Sequence, residues 1–240
     1  MTFPQSRHRQ PEKMDQPGLD NDLHHGALRT LARINRYSGT IGSIWRPIRE
    51  HARRQQLGDA PERPLRILDV ACGGGDLAIG LAKRAKAAGL AVEAAGCDIS
   101  QTAIDFGQWQ AEQAGVDVRF LIADVLGSPL PEGYDVICSS LFLHHLDEPD
   151  VVRLLRGMGV AAQQLIVISD LLRTRLGYWL AWGGCHVLTR NPIVHFDGPV
   201  SVEGAFSLSE ILGLTEQAGL DNATLRKRWP ERFLLTWTPQ

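Results

Sequence analysis

The sequence predicts an α/β fold: a doubly wound, mostly parallel sheet covered by helices. Three observations predict it. From about residue 64 to residue 170, short apolar runs alternate with stretches of helical periodicity. The runs are apolar on both faces, as strands buried between helix layers are. The first run ends in a glycine cluster, LDVACGGGDLA (68–78), where a strand would turn sharply into a helix.

Each element follows from its own residues. The strands are expected at 66–71, 91–98, 118–122, 134–139 and 164–169, with two more runs at 223–227 and 232–237 closing the chain. Between them, helices are expected at 76–89, 101–114 and 149–162, the first two closed by Gly89 and Gly115. Right-handed crossovers make this a doubly wound sheet, whose ligand lies at the carboxyl ends of the strands, at the topological switch point. After residue 170 the rhythm changes. Residues 171–188 are long, apolar and contain Trp179 and Trp182, which suits an insertion better than a crossover. Ser207 and Glu210 make a capping-box start for a helix over 207–218.

Before the alternation, residues 1–20 are polar and lack periodicity, and read as a disordered arm. Residues 21–56 read as a helical cap: Leu28, Leu31, Ile34 and Tyr37 recur at helical spacing, and a second helix is expected over 44–54. LGDAPERP (57–64) reads as the linker to the main domain, 64–240, with an insertion at about 171–205.

Composition narrows the function. Against 25 Lys and Arg stand 27 Asp and Glu, so no basic excess announces a nucleic-acid partner. No apolar run reaches bilayer-spanning length, and the first residues lack the apolar segment of a secretory signal. Cys72, Cys97, Cys138 and Cys185 match no zinc spacing; they read as reduced thiols of a cytoplasmic protein, and no metal is expected.

The glycine loop admits two ligands. Gly73-x-Gly75-x-x-Ala78 satisfies a dinucleotide fingerprint, and Asp98 ends the next strand where a ribose hydroxyl would bind. Taken alone, these residues permit an NAD(P)-dependent oxidoreductase. Asp69 and Asp124 change the balance. A carboxylate inside the first strand would repel a pyrophosphate but suits a cationic amine. Asp124, at the same rim, can accept from the exocyclic amine of adenine. An amine, a ribose diol and an adenine together describe S-adenosylmethionine (SAM).

At these residues the chain resembles the class I SAM-dependent methyltransferases. LDVACGGGD resembles their first motif, D/E-x-G-x-G-x-G, with Ala71 in place of the first glycine; GCDIS, IADV and YDVICSSLFLHHL resemble the three that follow. The resemblance implies a Rossmann-like seven-stranded sheet with a reversed last strand. It further implies that Asp69, Ala71, Gly73 and Gly75 hold the methionine part, Asp98 the ribose with Ile99 on the adenine, and Asp124 and Val125 the adenine edge. Leu141 would face the sulfonium.

For the acceptor, His144 and His145 follow the fourth strand at the mouth of the cleft and are candidate bases, as is His195 in NPIVHFDGP, read as a Pro- and Gly-flanked loop. Tyr37, Trp179, Arg190 and Asp197 are candidate substrate contacts. The LHHL loop and apolar insertion are similar to those of bacterial quinone, polyketide and natural-product methyltransferases. They imply O- or C-methylation of an apolar aromatic small molecule, with a non-catalytic SAM-binding protein as the other reading.

Overall fold

The computed structural model describes residues 6–15, 26, 30, 39–56 and 63–239. Tyr37, with most of residues 21–38 of the expected cap, and linker residues 57–62 lie outside them.

Seven strands form one sheet: β1 (Leu65–Val70), β2 (Val92–Asp98), β3 (Val118–Ile122), β4 (Tyr134–Ser140), β5 (Ala162–Leu171), β6 (Thr224–Arg228) and β7 (Arg232–Trp237). Their order is β3-β2-β1-β4-β5-β7-β6. The first five pair in parallel, and β7 is antiparallel to both β5 and β6. The reversed last strand is therefore present. The order turns back between β1 and β4, which places the switch point at their carboxyl ends.

Among the described residues these helices accompany the sheet: α1 (Thr40–Gln56), α2 (Asp76–Ala87), α3 (Gln101–Ala114), α4 (Glu148–Ala161), α5 (Arg175–Leu188), α6 (Pro192–Gly204) and α7 (Leu208–Gln217). Alternation along each strand feeds two cores. Ile67, Val136 and Val167 meet Ile44 and Ile48 of α1 and Leu77 and Leu81 of α2. On the other face Leu68, Ile137 and Ile166 meet Leu154 and Leu155 of α4 and Ile211 of α7. The capping box at Ser207 and Glu210 is complete.

Three expectations are corrected. The second helix, expected over 44–54, starts earlier and is α1. The NPIVHFDGP stretch is not a loop. It opens α6: the Asn191 side chain accepts from the Ile193 amide at 2.9 Å, and Pro192 occupies the first turn, where its missing N–H costs nothing. Residues 6–15 are not a free arm. Arg7 donates through Nε to the Gly204 carbonyl at 2.6 Å and lies over the Phe206 ring, and the His8 amide donates to the Glu203 carbonyl at 3.0 Å. This strap follows the end of α6 and carries Glu12 into the body of the protein, where it is 6 % exposed. Among the described residues no helix is long and apolar enough to cross a membrane, and all four cysteines are buried and unpaired.

Candidate active site

The glycine loop leaves β1 through two unusual backbone positions. Ala71 has φ 54°, so it adopts the left-handed conformation that a glycine takes freely, at a cost of about 1–2 kcal/mol. Gly75, at φ 75°, precedes the first turn of α2, and a Cβ there would lie 2.5 Å from the Phe120 ring. Across the switch point, Leu141 leaves β4 at φ 56°. Two non-glycine residues thus take this conformation just after β1 and β4, a pattern found at functional sites.

Asp69 is 2 % exposed, and neither carboxylate oxygen has a hydrogen-bond partner of normal geometry. Burial, followed by the nearby Asp76 charge, drives its pKa well above the usual carboxylate range, against a small opposing pull from the Ala78 amide. A buried carboxylate left this way calls for a donor, and a cationic amine is the donor that answers it best. Asp98 accepts from the Gly73 amide through Oδ2 and the Ser100 amide through Oδ1, both at 2.9 Å, which ties β2 to the loop. Each oxygen keeps a lone pair for a ribose hydroxyl. Asp124 accepts from the Leu126 and Gly127 amides through Oδ1, both at 3.0 Å. Capping a turn and binding a ligand are thus compatible for both acids. Ile99 is 68 % exposed at this rim, an apolar face open to a base. The residues present suit SAM.

On the other side of the switch point, a short 3₁₀ turn, Leu143–His145, follows β4. It places both candidate histidines beside the end of β5. His144 is buried. Its Nδ1 lies 2.7 Å from Oδ1 of Asp170, whose Oδ2 accepts the His144 amide at 3.1 Å. Its Nε2 lies 3.5 Å from Oε1 of Glu12. His145 Nε2 is 3.8 Å from the same oxygen, and this ring is the more exposed of the two. Burial alone would lower the His144 pKa; the Asp170 charge and hydrogen bond, then those of Glu12, outweigh it and raise the pKa to about 10. An imidazole so held keeps its proton at neutral pH, so His144 is not itself the base in this state.

The strap that brings Glu12 here is held at both ends of the turn. Arg7 donates to the His144 and Leu146 carbonyls, and Arg9 donates to the Asp147 carboxylate at 2.9 and 3.1 Å. Asp197, expected at the substrate, instead accepts the Lys13 and Met14 amides at 2.8 and 3.1 Å. Ser201 donates to Glu12. His195 belongs to a separate group: its ring stacks on His186 at 4.2 Å, and its Nε2 donates to the Thr189 carbonyl at 2.7 Å. Trp179 and Arg190 are exposed on the α5 side of the insertion.

Glu12 and Arg232 were not indicated by the sequence. Glu12 sits in a stretch without periodicity, and its partners are more than 130 residues away. Arg232 opens β7, is buried, bonds the Thr40 hydroxyl and leaves its Nε without a partner. Burial lowers its pKa to about 10, against the Asp170 and Asp76 charges.

Comparison with known proteins follows the same line. A family described as "Methyltransferase domain" matches residues 67–162. A demethylmenaquinone methyltransferase of Thermus thermophilus is 43 % identical over 82 residues, covering 34 % of this chain and 36 % of its own length. A ubiquinone biosynthesis O-methyltransferase of Ralstonia nicotianae is 31 % identical over 171 residues, 70 % of this chain and 67 % of its own. The chain thus spans between about a third and two thirds of the length of these relatives. Among solved structures, magnesium protoporphyrin IX methyltransferase of Synechocystis PCC 6803 with bound S-adenosylhomocysteine (SAH) superposes with a TM-score of 0.55 at 15 % identity, covering 95 % of this chain and 92 % of that one. With the reversed seven-stranded sheet and the acid-lined glycine loop, these matches assign the chain to the class I SAM-dependent methyltransferase family.

Proposed function

We propose that the chain transfers the methyl group of SAM to an oxygen or carbon of an apolar, aromatic small molecule of the quinol, phenol or polyketide type. The observation that carries this reading is the pairing of two unlike ends across one switch point. On one side lies the unpartnered, buried Asp69 under the glycine loop. On the other lie His145 and the buried Glu12–His144–Asp170 array. SAM supplies an electrophilic methyl whose transfer breaks the S–C bond and leaves a neutral thioether. The chain's own residues align, shield and manage a proton. Asp69 would receive the cofactor amine, Asp98 the ribose hydroxyls and Asp124 the adenine amine, with Ile99 and Val125 against the ring. Leu141 would border the reacting end.

At the acceptor end, His145 is the accessible imidazole and takes part in drawing off the hydroxyl proton. His144 is a positioning residue, locked by Asp170. Helices α5 and α6 would cover the acceptor as a lid, and Trp179 and Trp182 of α5 supply apolar surface. The quinone-pathway names of the relatives support an aromatic acceptor. The four buried thiols fit a reducing, cytoplasmic setting.

The test is methyl transfer from trideuterated SAM to a panel of quinols, phenols and hydroxylated polyketides, read by mass spectrometry. One CD3 group per acceptor is expected. His145→Ala should lower turnover by about 10²–10⁴-fold with SAH affinity unchanged. SAH binding with no labelled acceptor would favour a non-catalytic SAM-binding protein.

A further inference from the structure

Glu12, His144 and His145 are joined in a way the cofactor loop does not explain. We propose that these three residues bind a divalent first-row transition-metal ion, with Zn2+ the type their donors suit, at the acceptor end of the cleft. Each residue offers one ligand atom, and the three atoms lie within 4.8 Å of one another. Two ligands on a tetrahedral ion, at bond lengths of ~2.1 Å, stand ~3.4 Å apart. The Glu12 oxygen lies 3.5 Å from His144 Nε2, already at ligand spacing, and 3.8 Å from His145 Nε2, so ligation draws the His145 ring inward.

The surroundings are those of a built site. Metal-binding imidazoles use their second ring nitrogen to hold a carboxylate, which fixes the tautomer and aims the ligand nitrogen. His144 does this: Nδ1 is on Asp170, itself 1 % exposed, and Nε2 faces the cluster. Ser201 donates to Oε1 of Glu12, the oxygen that faces both imidazoles, and so fixes its position. Of the strap's cations, Arg7 and Arg9 are directed to the His144 and Leu146 carbonyls and to Asp147, and Lys13 lies over the Phe196 ring. Glu12 and Asp170 bring negative charge to a buried group of imidazoles; Asp170 also faces the Arg232 cation, and the divalent ion takes the place of the His144 proton beside Glu12. His144 Nε2 gives its proton to solvent when the ion enters.

Two imidazoles and one carboxylate leave a coordination position open. An acceptor hydroxyl bound there would lose its proton more readily, as metal-bound oxygen acids do. That role rests on the methyl-transfer reading; the binding of the ion does not. The ion would also clamp the strap to the turn after β4, since Glu12 comes from one and both histidines from the other.

The test uses the full chain, stripped with chelator and dialysed. Titration with Zn2+ should show one tight equivalent. Co2+ should add the visible absorption of a four- or five-coordinate ion, bleached by Zn2+. Glu12→Gln and His145→Asn should each weaken binding at least about 100-fold, and Asp170→Asn about 10–100-fold. SAH affinity and melting temperature report whether each variant is folded. His186→Ala, in the exposed imidazole stack on α5, should leave binding intact. No stoichiometric binding, or binding that survives both Glu12→Gln and His145→Asn, overturns the proposal and leaves a protonated His144 bridging two carboxylates. A chain that methylates acceptors but takes up no ion refutes the metal site alone. A chain that binds the ion but methylates nothing refutes the methyl-transfer reading alone.

Discussion

Replacing Asp98 with alanine removes a carboxylate that organises the loop and addresses the ligand. Its two oxygens accept the Gly73 and Ser100 amides, each at 2.9 Å. Hydrogen bonds to a charged group contribute about 1.5–3 kcal/mol apiece. The loop lies at the surface of the cleft, so water recovers part of this. The expected loss of stability is about 2–3 kcal/mol, or about 5–10 °C in melting temperature for a domain of this size. The ligand loses its own two bonds from the ribose diol. That is worth about 3–4 kcal/mol, a 100- to 1,000-fold weaker SAH complex. Asparagine is no milder a change. Both oxygens already accept from backbone amides, so an NH2 group in either position would oppose an N–H. Asp98→Asn should therefore weaken SAH by a comparable factor. Calorimetric titration with SAH, beside thermal denaturation, measures both effects. An Asp98→Ala protein that binds SAH within about threefold of the parent would refute the assignment.

Three further outcomes are expected. At Gly127 an added Cβ would lie 2.4 Å from Oδ2 of Asp124, so Gly127→Ala should displace that carboxylate. SAH affinity should fall about tenfold, roughly one hydrogen bond, with little change in melting temperature; an unchanged affinity removes Asp124 from the site. The Arg173 hydrogen bonds hold the Glu210 pKa at about 2, against burial. A depressed carboxylate stabilises the fold above its unfolded pKa and loses that contribution as pH falls toward about 2. Glu210 is partly exposed, which limits its share to about 1–2 kcal/mol. Glu210→Gln should cost that much at pH 7 by urea denaturation, with the difference closing in acid; a constant difference across pH contradicts the pairing. Asp135 is buried at the opposite end of β4 and accepts Arg63 at 2.6 and 2.8 Å, the Arg66 amide at 2.8 Å and Gln164 at 2.8 Å. Asp135→Ala should cost about 3 kcal/mol in urea denaturation while SAH affinity holds; weakened binding would mean that the two ends of the sheet are coupled.

The parts of this protein that were legible in its sequence are those governed by local rules. Strand β3 and helix α3 fall on their expected residues because periodicity and the closing Gly115 define them. The places of Gly73 and Gly75 in the turn after β1, and of Asp69 and Asp98 near the carboxyl ends of β1 and β2, were legible because a strand-to-helix turn demands glycines and because the runs before them end there. The missed parts depend on distant contacts. Residues 6–15 have no pattern of their own; their order comes from Arg7, Arg9 and the Lys13 and Met14 amides meeting carbonyls and carboxylates on the LHHL turn and α6. Helix α6 was hidden because Pro192 and Gly198 mark loops as readily as helix starts, and only the Asn191 cap decides between them. His144 and His145 follow β4 as the sequence suggests, but their different surroundings come from Asp170 and Glu12, which the chain brings from 26 and more than 130 residues away.

The central claim is that this glycine loop binds a sulfonium nucleoside and not a dinucleotide. Its most direct test is calorimetric titration of the purified chain with SAH and, separately, with NAD. Micromolar binding of SAH at one site per chain, with no heat from NAD, is predicted. Binding of NAD in place of SAH, or of neither, would contradict the claim, because the unpartnered Asp69 would then have no amine to meet.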